Sequence, residues 1–103
     1  MSTRSTVGIK SGDKFIAIYI HYDGYPEHML KNLPTNMSDI TDMIYQGDGS
    51  FLEDGVVFKN APDYEGPTEY HSEFNWLDNE KQNWCEWYYL WDNENEKWEY
   101  GKL

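Results

Sequence analysis

KFIAIYIHYDGYPEHMLKNLP, residues 14–34, passes from a strand through a turn into a helix, and its reading decides the fold. Along its first part Ile16, Ile18, Ile20 and Tyr22 alternate with Phe15, Ala17, Tyr19 and His21. Successive side chains on a strand point to opposite faces, so both faces here are largely apolar. Such a strand belongs in the middle of a sheet covered at least partly on both sides. Asp23-Gly24 then breaks the alternation. The Asp23 side chain can bond the backbone two residues on, and Gly24 tolerates a positive φ. Tyr25 precedes a proline and is driven to extended geometry. Pro26 suits the first helical position, where its missing N–H costs nothing, and Glu27 suits the positive end of the helix. Met29, Leu30 and Leu33 give that helix an apolar side, and Pro34 ends it after about two turns.

Upstream, TVGIK and the KFIAIYIHY strand flank SGD, which reads as a hairpin turn. Downstream, SDITDMIYQGDG reads as a second short helix with Ser38 as N-cap, Ile40, Met43 and Ile44 at helical spacing, and Gly47 as a left-handed stop. SFLEDGVVFK returns to extended structure around an Asp54-Gly55 turn, and NAPDYEGPTEY reads as a loop. The remaining segments, TEYHSEFNW, NWCEWYYLWD and KWEYGKL, read as strands, the last two joined by NENE. In the middle one Cys85, Trp87, Tyr89 and Trp91 share one side. The expected fold is α+β, an antiparallel sheet with two short helices packed on one face. One domain spans residues 1–103, with a strand-strand-helix-helix-strand part over 1–60 and an acidic, aromatic-rich β-hairpin part over 68–103.

The chain carries 19 acidic and 8 basic residues, a net charge of −11. Eight acids and five bases fall in residues 1–60, eleven and three in residues 61–103, so the acidity is concentrated C-terminally. That balance repels phosphate backbones and anionic lipid, which argues against direct nucleic-acid or membrane binding. No stretch is long and apolar enough for a transmembrane helix, and no signal-peptide pattern opens the chain. Cys85 is the lone cysteine and sits among aromatics, as a buried small hydrophobe does. These features predict a cytoplasmic protein.

Little in the sequence points to catalysis or a cofactor. His21, Asp23 and His28 are possible zinc ligands, but their spacing fits no standard site and a fourth ligand would have to come from afar, for instance His71. His21 and Asp23 could form an acid/base pair, yet no nucleophile stands near them in sequence. GDGSFLEDG lacks the ligand register of a calcium loop, and no phosphate-binding glycine motif occurs. No cofactor and no metal are expected. All five tryptophans lie between Trp76 and Trp98, and Glu86, Asp92, Glu94, Glu96 and Glu99 lie among them. Trp87, Trp91 and Trp98 with these acids form a candidate partner-binding surface, since exposed Trp and Tyr are common interface anchors. Same-face residues on a strand are about 6.8 Å apart, so exposed carboxylates could also imitate a phosphate track if they formed one continuous face.

The run IHYDGYPEHML, with EWYYLWD and KWEY, resembles a set of small bacteriophage and prophage proteins marked by an H-x-D-G-Y-P-E turn after a strand. The resemblance covers residues 21–27 well and the C-terminal hairpin loosely. It implies a phage origin and assigns no catalytic residue. The leading expectation is a non-enzymatic binder acting in the host cytoplasm as monomer or homodimer. It would occupy the basic, nucleic-acid-binding surface of a host protein, as an anti-restriction or anti-CRISPR inhibitor does. One alternative is a small enzyme or ligand-binding domain centred on His21, Asp23, Tyr25 and His28. Another is a virion or assembly component.

Overall fold

Strand β1 (Ser5–Ser11) occupies the centre of a five-stranded sheet, with β2 (Lys14–Ile20) on one side and β6 (Trp87–Asp92) on the other. The computed structural model describes residues 3–60 and 64–103. Residues 61–63 of the expected loop, and residues 1–2, lie outside the described residues. β1 and β2 are antiparallel, with Ser5 opposite Ile20 and Ser11 opposite Lys14. Gly12 turns the hairpin at φ +65°. β5 (Thr68–Tyr70) adds antiparallel to β2, and β7 (Lys97–Lys102) adds antiparallel to β6. The β1–β6 pair is parallel, Ser5 opposite Trp87 and Ile9 opposite Trp91, so the sheet is mixed rather than wholly antiparallel. Segments from both halves of the chain therefore share one sheet.

Helices α1 (Pro26–Asn32) and α2 (Met37–Tyr45) cover one face, as the sequence predicts. Val7, Ile9, Ile18, Ile20, Tyr89 and Trp91 from the sheet pack there against Met29, Ile40, Met43 and Ile44. Pro26 does open α1. The N-cap of α2 is Asn36 rather than Ser38. Its Oδ1 accepts the Asp39 N–H at 2.9 Å and its amide donates to the Asp39 carboxylate at 2.8 Å, so cap and first turn hold each other. Gly47 follows α2 at φ +87°. β3 (Phe51–Glu53) and β4 (Val56–Phe58) form a separate two-stranded ribbon. Asp54 and Gly55 turn it, at φ +51° and +74°.

The other face holds a third helix. TEYHSEFNW is not one strand: β5 ends at Tyr70, and α3 (Glu73–Gln82) begins two residues after His71. Ser72 caps it, its Oγ accepting the Asn75 N–H at 3.1 Å. Only Trp76 and Glu80 of α3 are buried. Trp76 lies over Gly8, Ala17 and Leu90 with Phe15 stacked beside it. β1 and β2 are thus covered on both sides, and the apolar second face of β2 is explained.

Candidate functional site

The turn that opens α1 has a structural use for nearly every residue. Asp23, not Gly24, takes the left-handed conformation, at φ +56°. Gly24 meets a different need, because a Cβ there would lie 2.6 Å from the Ser5 side chain. Its N–H donates to the Thr3 carbonyl at 2.8 Å, and its own carbonyl accepts the buried Tyr89 hydroxyl at 2.7 Å. The four residues of the alternative site do not converge on a common ligand position. His21 Nδ1 is hydrogen-bonded to the Tyr19 hydroxyl at 2.7 Å, while His28 Nε2 bonds the Leu52 carbonyl at 2.7 Å in the β3–β4 ribbon. Asp23 and Tyr25 are exposed, and Tyr25 serves as the α1 N-cap residue. Burial and the neighbouring Arg4 charge both lower the His21 pKa. No group of three or more histidine, cysteine, aspartate or glutamate side chains among the described residues is placed to hold a metal ion.

The C-terminal hairpin divides between core and surface. Trp91, expected as a partner contact, is 4% exposed and belongs to the core under α2. Trp87 and Trp98 are half-buried against that core, Trp98 donating its indole N–H to the Pro34 carbonyl at 2.9 Å. A tryptophan packed on apolar neighbours stabilises the domain and leaves little area for a partner. Asp92 is a turn-former. Its carboxylate accepts from the backbone of Glu94 and Asn95 and from the Asn95 amide, and those bonds hold its pKa below the usual carboxylate range. Glu86, Glu94, Glu96 and Glu99 are exposed. Glu86 flanks the start of β6 whereas Asp92 ends it, about 20 Å away at the rise of a strand, so these acids do not form one continuous track.

Three of them nevertheless meet. Where β1 and β6 end side by side, a cleft of about 510 Å³ opens, lined among others by Asp92, Glu94, Glu99, Glu73 of α3, Lys10 and Phe15. Four carboxylates thus surround one cation, over a floor that includes Leu90 and Phe15. Glu73 joins this set from the first turn of α3, where the sequence predicts the TEYHSEFNW strand.

A second, more polar cleft of about 400 Å³ lies on the α3 face between β2, β5 and α3, and no sequence motif announced it. Its walls are Tyr19, Asp48, Thr68, Tyr70, Glu80 and Asn83, with Asn79 beside them. Glu80 is 6% exposed. Its Oε1 accepts the Tyr70 hydroxyl at 3.0 Å, and its Oε2 faces the Cys85 thiol at 3.5 Å. Asn79 donates to the Tyr70 hydroxyl at 3.1 Å. Asp48 Oδ1 accepts the Tyr19 backbone N–H at 2.9 Å. Burial and the nearby Glu80 and Glu65 charges push the Asp48 pKa up to about 6, against the pull of that hydrogen bond and of Lys59. Burial likewise pushes Tyr19 up to about 12 and raises Tyr70. The only sequence trace of this cleft is Tyr19, reached from His21 by the hydrogen bond above.

Cys85 is buried, and burial, then the adjacent Glu80, raises its pKa. A thiol held neutral and out of solvent is a poor nucleophile. Ellman's reagent is expected to label the native protein at least ~100-fold more slowly than the urea-unfolded chain. Labelling at the unfolded rate would show Cys85 to be accessible.

Comparison with protein-family models, with curated proteins and with solved structures finds no match. Among the described residues no helix is long and apolar enough to cross a membrane.

Proposed function

We propose that this protein is a non-enzymatic binding module that takes a basic surface of a host protein into the carboxylate-lined cleft at the ends of β1 and β6. The observation that carries this reading is the convergence of Glu73, Asp92, Glu94 and Glu99 on one cleft in a chain of net charge −11. A lysine or arginine side chain has its counter-charge there, and its aliphatic stem has Phe15 and Leu90 to cover. The surrounding negative field speeds the approach of a basic partner and repels nucleic acid. Surfaces that hold phosphate backbones are rich in Lys and Arg, which makes them the complementary kind of partner. Trp87 and Trp98, expected as partner contacts, do not line this cleft.

The test is fluorescence anisotropy with a labelled arginine-rich peptide as probe. The wild type is expected to bind, with affinity falling at least about tenfold between 50 and 200 mM salt. Reversing Glu73, Glu94 and Glu99 to lysine is expected to abolish binding. Reversing Asp42, Glu53 and Asp78, which are exposed elsewhere on the surface, changes the net charge equally and is expected to leave most of it. Equal losses from the two triple variants would reduce the effect to overall charge and sink the assignment of the cleft.

A further inference from the structure

The polar cleft between β2, β5 and α3 is independent of the acidic one, and it contains an unbalanced feature. Glu80 is a carboxyl group removed from water, and buried carboxyl groups are ordinarily matched with a cation. Its partners are a phenol, an amide and a thiol, all neutral. The ion pair found among the described residues joins Lys14 to Glu69, at 3.1 Å on the surface, and does not involve it. Asp48 brings a second carboxyl to the same cleft. Tyr19, Tyr70, Thr68 and Asn83 line the cleft with them, the Tyr19 hydroxyl bonded to His21 and the Tyr70 hydroxyl to Glu80 and Asn79. Among the described residues no lysine or arginine lines this cleft. Two carboxyl groups, several further acceptors and no lining cation make a receptor for a positively charged group with several N–H donors.

We propose that this cleft is a binding site for an organic cation of the guanidinium or primary ammonium class, with Asp48 and Glu80 as its counter-charges. The aromatic rings of Tyr19 and Tyr70 supply flat walls against which a guanidinium plane can lie. Asp48 responds to pH. It faces Tyr19 from β2, Glu80 from α3, and Glu65 and Lys59 from the flanking chain. Near pH 6 it exchanges its proton, so binding a cation requires that proton to leave. Above pH 6 the carboxylate is ready, and below it each binding event must first displace a proton. The ligand is either a free small molecule or a side chain presented by a peptide; both offer the same chemistry.

Two probes separate these sources: agmatine, which carries a guanidinium and an ammonium on a short chain, and N-acetyl-arginine amide, which presents the side chain alone. Each is titrated into the ¹⁵N-labelled protein at 150 mM salt and followed by amide chemical shifts. The expected result is saturable shifts centred on Tyr19, Asp48, Thr68 and Glu80. Affinity should weaken about tenfold between pH 7 and pH 5 as Asp48 gains its proton. Tighter binding of agmatine points to a free polyamine-like ligand, and tighter binding of the arginine amide to a peptide. Asp48→Asn keeps the acceptor for the Tyr19 N–H but removes the charge, and is expected to weaken binding about tenfold and to flatten the pH dependence. Glu80→Gln keeps an acceptor for Tyr70 and provides a second variant should the first fold poorly. The Glu73, Glu94 and Glu99 reversal should leave these shifts intact, so this site and the acidic cleft stand or fall separately. Shifts that never saturate, that spread over the whole acidic surface, or that Asp48→Asn and Glu80→Gln leave unchanged would overturn the proposal.

Discussion

Replacing Trp76 by alanine should remove about 3–5 kcal/mol of stability, the usual cost of truncating a buried Trp or Phe. A domain of this size has about 5–15 kcal/mol in all, so the loss is a large fraction of the total. The reason lies in the geometry of the α3 face. Trp76 is fully buried and is, with the largely polar Glu80, the side chain through which α3 is fastened to the sheet. Its ring lies over Gly8, so close that a Cβ there would approach the ring at 2.9 Å, and beside Ala17. Two small residues at opposed positions of β1 and β2, Gly8 and Ala17, form the recess that the indole fills. The indole N–H also donates to the Thr6 hydroxyl at 2.8 Å, which itself donates to the Ile18 carbonyl at 3.1 Å. Trp76→Phe retains most of the ring and should cost about 1–2 kcal/mol. Urea unfolding measures both variants. A loss under about 1 kcal/mol for alanine would mean that α3 is held by something other than this side chain.

Gly24→Ala is expected to cost about 3 kcal/mol, a large effect for a single methyl group. Its Cβ would fall 2.6 Å from both Cβ and Oγ of Ser5 and 2.8 Å from the Thr3 carbonyl oxygen. Neither can withdraw cheaply. Ser5 is fully buried at the start of the central strand, and Thr3 O is backbone already bonded to the Gly24 N–H. Moving the turn away would also stretch the buried bond from the Tyr89 hydroxyl to the Gly24 carbonyl. Asp23→Ala, by contrast, meets only the left-handed penalty of about 1 kcal/mol. Thermal denaturation of the two variants should rank them in that order. The reverse ranking would show that the turn depends on the Asp23 conformation and not on the close approach at Gly24.

The residues that declared the fold are those whose pattern is local. Alternation in β2, Pro26 at the start of α1, Ile40, Met43 and Ile44 in α2 and the Asp54-Gly55 turn each follow from neighbours in sequence, and each is present. Two features were not local. α3 buries only Trp76 and Glu80, so it lacks the apolar stripe by which a helix is recognised. Ser72 as N-cap, with Glu73 in the first turn and Lys81 in the last, was the signal that could have found it. The parallel partnership of β1 with β6 is set by packing over some 80 residues of separation, which no window of sequence records. The acidic surface was legible as composition. Its organisation was not, because Trp91 turns inward and Glu73 joins from a helix that begins inside the predicted TEYHSEFNW strand. The polar cleft was illegible for the same reason: Asp48, Tyr70 and Glu80 become neighbours only once α3 crosses the sheet.

The central position of β1 also sets the order in which the molecule can be made. As the ribosome releases the chain, β1 and β2 emerge first and can pair at once, but one edge of β1 then waits for β6. Ile9 meets Trp91 in that pairing, and Tyr89 closes onto Gly24. Until Trp91 has left the exit tunnel the growing chain exposes an apolar strand with an unpaired edge, the form of intermediate most prone to unwanted association. β1 therefore keeps an unpaired edge until β6 is available, and the acidic residues already translated supply the repulsion that keeps neighbouring nascent chains apart.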